Sequence, residues 1–315
     1  MFQMKRTSSE SLLAGSLFHD HWWLSAATGN QFSEVTEIRG GQLIGRFPFI
    51  ITRRRGFLVS QMPPFTRVLG PVVDLGTGKD HTRLLRRFDI VGKLIDQLPP
   101  VHYFRQLLDV NEHEVQAFIS RGFQLGVENT FRLDCNQPQA EIWANMRDKT
   151  RNLIRQAEKE YIVSPLEDPE HFVRFYVDSR TKRGAANQID FARFGPLFSA
   201  CAARKQGEIL VARKRAGIPV AMVFLVWGHG VMYYLLSVRD VSLAGSGAVS
   251  LLIWNGIQRA HEMGVIFDFD GVTGDSVFRF LSGFGGTIAT RLVVVRANPI
   301  LNILRYLRGR PVGDP

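Results

Sequence analysis

One ordered set of secondary-structure signals occurs twice along this chain, and a duplicated unit restricts the fold to two copies of one architecture. From Glu34 the sequence reads EVTEIR, the pair Gly40-Gly41, QLIGRFPFIIT, a basic turn from Arg53 to Gly56, and FLVSQ. From Glu208 it reads EILVARK, Ala216-Gly217, IPVAMVFLVW, Gly228 to Gly230, and VMYYLLSV. Both runs are strand, turn, strand, turn, strand, with glycine where the chain must reverse. Each continues into an amphipathic helix, about Asp80 to Leu98 and about Gly247 to Met263, then a strand, Val101 to Leu108 and Val265 to Asp270. A second helix closes at Gly122-Phe123 and at Gly283-Phe284, where glycine suits a left-handed helix end, and a last strand comes after it. The expectation is an α/β (α+β) chain of two tandem domains, 1–137 and 138–315, each a mixed, mostly antiparallel sheet flanked by helices.

The chain is long enough for two cores, with 315 residues of which 45% are hydrophobic. Lysine and arginine exceed aspartate and glutamate by 39 to 29, and the net charge of +10 favours an anionic partner: nucleotide phosphate, nucleic acid or a membrane surface. Cys135 and Cys201 are the two cysteines and form no C-x-x-C, so neither a disulfide framework nor a cysteine zinc site is indicated, and a reducing, cytoplasmic compartment fits best. Met1 to Ser25 has no apolar h-region, and Gly228-His229-Gly230 interrupts the apolar stretch Ile218 to Leu236, so neither export nor a membrane span is expected. His19 and His21 lack a third ligand at useful spacing; they read as surface or capping residues, and no metal is expected.

The two halves part company after the third strand. In the first half the chain enters Gln61-Met-Pro-Pro, whose prolines remove backbone donors and forbid a helix start. In the second half the strand ends at Val238, and Ser242-Leu-Ala-Gly245-Ser246-Gly247 opens directly into a helix. Free amides at a helix N-terminus, reached closely because glycine has no side chain, form a phosphate cradle. A loop that merely needs flexible residues is the plainer alternative; the one-sidedness of the loop, set between meander and helix, favours the cradle.

On these residues the chain resembles the GNAT superfamily, and within it the two-domain FemABX-like acyl and aminoacyl transferases, including CelD-type members. The superfamily's Q/R-x-x-G-x-G/A loop is matched at Gly245 and Gly247, with Ser242 at the Gln/Arg position. The two-domain branch is matched by Trp143 with Arg151 and Arg155, by Phe267-Asp268-Phe269-Asp270-Gly271, and by Arg279-Phe280-Leu281-Ser282-Gly283-Phe284-Gly285, where Leu281 replaces a usual lysine. The resemblance implies tandem GNAT-like domains, the second holding an acyl-coenzyme A pyrophosphate on Ser242, Gly245, Ser246 and Gly247. It also implies an acyl carbonyl set against the backbone of Leu236, Ser237 and Val238.

Acyl transfer needs a base for the attacking group, donors for the oxyanion and an acid for the leaving thiolate. Period-two alternation puts Asp268 and Asp270 on one strand face as candidate bases, although Asp268 reads equally well as a group that only shapes the strand end. Tyr234, Ser276 and Ser282 are candidate acids. Arg147, Arg151 and Arg155 recur every fourth residue along one expected helix, Gln139 to Tyr161, and with Arg183 and Arg279 they could grip an anionic substrate or simply line a solvated face. The run Pro299 to Arg310 reads as a membrane-surface segment or a short final helix. Three functions fit: acyl-coenzyme A dependent transfer to an amine or hydroxyl, for instance on a saccharide or cell-envelope precursor; aminoacyl-tRNA dependent transfer; and a non-catalytic GNAT-fold binding protein.

Overall fold

The computed structural model describes residues 13, 15–187, 189–243 and 245–299. These fall into two compact units, unit 1 from Met1–Glu128 with Thr290–Pro315, and unit 2 from Asn129–Ala289. The segment Pro299 to Arg310 lies, apart from its first residue, outside the described residues.

Unit 1 begins with α1 (His21–Thr28), followed by β1 (Ser33–Arg39), β2 (Gln42–Phe49), β3 (Thr52–Arg54), β4 (Phe57–Ser60), β5 (Val72–Val73), α2 (Asp80–Asp96), β6 (Tyr103–Leu107), α3 (Gln116–Ile119) and β7 (Gln124–Asp134). Unit 2 continues through α4 (Gln139–Asn145), α5 (Asp148–Glu160), β8 (Tyr161–Leu166), α6 (Pro169–Lys182), α7 (Phe194–Arg204), β9 (Gly207–Lys214), β10 (Pro219–Gly228), β11 (Val231–Arg239), α8 (Ser246–Met263), β12 (Ile266–Gly271), α9 (Asp275–Leu281) and β13 (Thr287–Ala297), in which the chain returns to unit 1. The duplicated order of elements is present in full. No helix among the described residues is long and apolar enough to cross a membrane.

In unit 1, β1, β2 and β5 form one antiparallel sheet, and β3, β4, β6 and β13 follow in order in another, with β4 parallel to β6. The second strand of the expected meander is therefore divided into β2 and β3. At the division the Pro48 carbonyl is taken by Gln106 Nε2, 2.9 Å away, so a side chain replaces the ladder partner. Phe47, Phe104, Phe118 and Phe123 pack edge to face beneath α2, whose Ile90, Val91, Leu94 and Ile95 are buried at helical spacing. His19, expected at the surface or at a cap, is buried, with Nδ1 2.9 Å from Ser16 Oγ.

In unit 2 the order is β7, β12, β11, β10, β9, β8, antiparallel except where β11 runs parallel to β12. The last strands of the two repeats have thus changed places: β7, which closes the first repeat, pairs with β12, and β13, which closes the second, pairs with β6. The units consequently divide within β7 and β13 and not at the repeat boundary near residue 137. The strands β9, β10 and β11 are buried along almost their whole length and read as continuous apolar runs for that reason.

The single helix expected from Gln139 to Tyr161 is two helices. Met146 and Arg147 are extended (ψ 148° and 139°), and α5 restarts at Asp148. The break contains neither proline nor glycine and is imposed from α9 and the turn after it: Arg147 N donates to Gly283 O at 2.9 Å, and Gly285, at φ 83°, lies so close that a Cβ there would meet Asn145 O at 2.9 Å. Replacing Gly285 by alanine should destabilise unit 2 by more than the ~1 kcal/mol expected for alanine at a left-handed position in open space. Gly41→Ala supplies that reference, since Gly41 has φ 80° and nothing within 4 Å of an added Cβ. Equal losses in paired denaturant titrations would contradict the packing account of the break.

Candidate active site

β11 and β12 diverge. They pair at Val231 with Ile266, Met232 with Phe267 and Tyr233 with Asp268, and past that point β11 is accompanied by β10 alone. Two irregularities open the gap. In β11 the partners of Phe224 and Leu225 are Leu236 and Tyr234, so Leu235 is an extra, bulged residue. In β12 the register with β7 shifts between Asp268 and Gly271, where Asp270 takes φ 60° and Val272 N bonds to Asn129 O at 3.0 Å. Amides of Leu236, Ser237 and Val238 that point away from β10 therefore face the gap.

Asp268 holds the bend. Its carboxylate is fully buried, accepts from Thr130 Oγ1 at 2.7 Å and Asp270 N at 2.9 Å through Oδ1, and pairs with Arg132 Nε at 2.7 Å through Oδ2. Thr130 and Arg132 lie on β7, the strand supplied by the first repeat, and Thr130 Oγ1 also sits 2.8 Å from Asp270 O. Phe267 and Phe269 are buried on the opposite face, as alternation requires, but the positive φ at Asp270 interrupts the pleat. Asp268 and Asp270 are therefore neighbours through a backbone hydrogen bond and not a matched pair on one face.

Asp270 acts on Tyr234. Burial pushes the Tyr234 phenol above its ordinary range, and the Asp270 charge raises it further against a hydrogen bond from Ser237 that lowers it. At neutral pH the phenol keeps its proton. The thiols of Cys135 and Cys201 are pushed up by burial to about 12 and are protonated core groups. Ser282 is engaged elsewhere, donating to Arg279 O at 3.2 Å and accepting from Arg147 Nη2 at 3.0 Å.

The loop after β11 is built on Asp240, which is almost wholly buried. Its Oδ1 accepts from Ser242 N at 2.9 Å and Ser242 Oγ at 2.5 Å, and its Oδ2 from Lys182 Nζ at 2.6 Å. The Lys182 hydrogen bond, with the Ser242 hydroxyl next, pulls the carboxyl down to about 2. Gly245 is the N-cap of α8, with φ −73° and open space around an added Cβ, and no side chain caps the helix. Gly247 matters for another reason: it lies against α5, where a Cβ would come within 3.3 Å of Leu153 O. Arg183 Nη2 donates to Arg239 O beside the loop; burial and the charges of Arg239 and Arg180 bring Arg183 below the usual guanidinium range. Four cations, Arg180, Lys182, Arg183 and Arg239, thus gather at the mouth of the loop, with Asp240 and Asp178 acting on Lys182.

The remaining arginines serve other ends. Arg151 Nη1 donates to Ala144 O at 2.8 Å, closing α4, and its Nη2 pairs with Asp148. Arg155 lies 5.4 Å over the Trp143 ring, which packs on Trp254. Arg279 is exposed on α9. Leu281 is buried in the unit 2 core, so the position where a lysine is usual offers no contact to a substrate. Sequence reasoning passed over Asp240 and Arg132; the first leaves a legible Asp-x-Ser turn signal, the second none.

Residues 144–279 match the family described as acetyltransferase (GNAT) domain. In fold the chain is similar to FemX (TM-score 0.70, 12% identity, 96% of this chain and 99% of that one). It is also similar to the C-terminal domain of a putative lysylphosphatidylglycerol synthetase from Agrobacterium fabrum (TM-score 0.59, 12% identity, 96% and 94%). A tandem GNAT protein from the clavulanic acid biosynthesis pathway is a third (TM-score 0.52, 9% identity, 85% and 83%). No curated protein matches. Residues 144–279 thus match a GNAT domain, and the chain shares the two-domain fold of FemX and of a tandem GNAT protein.

The Asp240 network carries a pH signature. A carboxyl held at about 2 in the fold, against about 3.9 when unpartnered, contributes order that is complete above about pH 4 and lost as pH falls through 2. The Ser242 amide resonance should titrate with a midpoint near 2, and Lys182→Met should raise that midpoint. A midpoint near 4 that ignores Lys182→Met would contradict the network.

Proposed function

We propose that this chain moves an acyl group from acyl-coenzyme A to an amine or hydroxyl acceptor by direct attack within the gap between β11 and β12. The observation that carries the reading is the loop from Asp240 to Ser246, which sets the uncapped N-terminus of α8 beside the bulged edge of β11. Such a terminus favours pyrophosphate. From it the donor's thioester would run along Leu236 to Val238, whose outward amides stabilise the oxyanion as it develops. Asp270 takes the proton of the attacking amine or hydroxyl. Tyr234, held protonated, returns a proton to the departing thiolate. Asp268 positions Asp270 through the 2.9 Å bond to its amide and does not itself meet the substrate. Ser242, Gly245, Ser246 and Gly247 shape the donor loop, with Ser242 acting through Asp240.

The basic mouth of that loop supports a second reading, in which the donor is an aminoacyl-tRNA and Arg180, Arg183 and Arg239 meet its phosphates. Arg155 and Arg279, both exposed, would then serve the anionic acceptor or donor, whereas Arg151 would support α4.

Titration with acetyl-coenzyme A, a longer acyl-coenzyme A, free coenzyme A and bulk aminoacyl-tRNA tests both donors. Gly245→Glu fits the open space without backbone strain and places a negative charge at the terminus. Saturable coenzyme A binding, weakened at least ~10-fold by Gly245→Glu, is expected. Binding only to the tRNA would transfer the site to the second reading, and binding to neither would overturn both. With a donor in hand, Asp270→Asn should lower kcat by roughly 10²- to 10⁴-fold at unchanged donor affinity. Asp268→Asn should instead cost roughly 3–5 kcal/mol of stability, because it removes the buried carboxylate charge that Arg132 Nε meets. The same response from both variants would contradict the division of roles.

A further inference from the structure

Strand β12 carries one residue more than its partner. Asp268 lies opposite Arg132 and Gly271 opposite Thr130, so Phe269 and Asp270 together face Phe131, which makes a β-bulge. The bulge turns on Asp270, at φ 60°, in the left-handed region that such bulges ordinarily fill with glycine. A glycine stands next to it at Gly271, outside that region and with nothing within 4 Å of an added Cβ. A chain that needed only to bend here would place its glycine at the bend. This one places a carboxylate there, almost wholly buried, and a strained backbone persists only where its surroundings enforce it.

The enforcement comes from one side chain on β7. Thr130 Oγ1 lies 2.8 Å from Asp270 O and 2.7 Å from Asp268 Oδ1, with a longer contact of 3.3 Å to Phe131 O. Its hydroxyl thus serves both the carbonyl of Asp270 and the carboxylate that accepts from the Asp270 amide at 2.9 Å. The two peptide groups that flank the Asp270 Cα are tied to one point, which fixes φ and ψ together and, with them, the direction in which the side chain leaves the backbone. Arg132 Nε occupies Asp268 Oδ2 at 2.7 Å and so keeps Oδ1 turned toward Thr130 and the amide. Thr130 has no exposed surface, and its hydroxyl is shielded from water. A residue needed there only to fill space would be as well served by valine, which has the same shape and is equally at home in a strand. The two contacts of the hydroxyl to β12 give the threonine another use.

We propose that Thr130 is a positioning residue for proton transfer: its hydroxyl holds Asp270 in the left-handed conformation from which that carboxylate takes the proton of the attacking group. The inference rests on the reading of Asp270 as the base, and it assigns the geometry of that base to a residue of β7 that does not itself meet the substrate. A base acts only within hydrogen-bond reach of the proton it removes. Without the hydroxyl, the bulge is free to pass its positive φ to Gly271, where glycine accepts it at no steric cost, and Asp270 turns with the pleat away from its working direction.

Hydrolysis of acetyl-coenzyme A, followed by thiol release, presents water as the smallest hydroxyl acceptor and needs no identified substrate. The water oxygen bonds to the acetyl carbon as the carbon–sulfur bond breaks; one water proton passes to Asp270, and the thiolate leaves with the proton of Tyr234. Thr130→Val should lower kcat roughly 10- to 100-fold with the KM for acetyl-coenzyme A unchanged. Thr130→Ser, which keeps the hydroxyl, should restore most of the rate. In an Asp270→Asn background Thr130→Val should cost nothing further, since both changes remove one function. Hydrogen exchange reads the tether independently of turnover: the Asp270 amide should be protected in the native chain and in Thr130→Ser, and exchange at least ~10-fold faster in Thr130→Val. Full turnover by Thr130→Val beside a slow Asp270→Asn, or an equal loss from Thr130→Val in both backgrounds, would overturn the positioning role and leave the base in place. Undiminished turnover by Asp270→Asn, or none above background by the native chain, would overturn the base and the positioning role together. Should Thr130→Val fail to fold, Thr130→Ser decides, because loss of either its rate or its amide protection would overturn the proposal.

Discussion

A carboxylate with no exposed surface survives in a protein only when its charge and lone pairs are met, and Asp268 meets them with groups from β7. That requirement joins the two repeats' contributions to unit 2. Thr130 and Arg132 come from the strand that closes the first repeat, so β12 cannot keep its bend unless β7 is in place beside it. The bend turns β12 away from β11 after three residue pairs, and the bulge at Leu235 carries β11 the other way. An opening in the middle of a sheet is costly unless the exposed backbone finds partners. In the proposed reaction this edge of β11 supplies the donors for the developing oxyanion.

The loop beyond β11 rests on a comparable arrangement at lower burial. Asp240 gathers Ser242 and Lys182, and so fixes where the chain turns into α8. The two glycines that look alike in sequence do different jobs. Gly247 lets α8 approach the backbone of α5, and Gly245 leaves the helix terminus open. A free negative charge under the loop would oppose the proposed anionic donor, but the ammonium of Lys182 is directed at it, and Arg183 and Arg239 lie beside it.

Most of the architecture was legible because duplication is visible without knowing any contact. The turns at Gly40-Gly41 and Gly217, and the Gly122-Phe123 helix end, report local backbone needs that sequence carries directly. The exchange of β7 and β13 was hidden, since strand order depends on pairing between residues more than a hundred positions apart, as between Asp268 and Arg132. The break at Met146 was hidden for the same reason: its cause is Gly283 and Gly285 in a distant turn, and the local residues would continue a helix. In the candidate site, the glycine loop before α8 and the aspartates of β12 stand out by their pattern. The offices of Arg151 and Leu281 do not, because a helix-closing arginine and a buried leucine carry the same letters as a ligand and its replacement.

The central claim is that the gap between β11 and β12 receives the acyl donor along the bulged strand. Hydrogen exchange on the backbone amides of unit 2, with and without saturating donor, addresses it most directly. The account predicts that amides among Leu236, Ser237 and Val238, together with those at the start of α8, exchange quickly in the free protein and become protected together when donor binds. Protection confined to other surfaces, with the β11 edge unchanged at saturation, would contradict it.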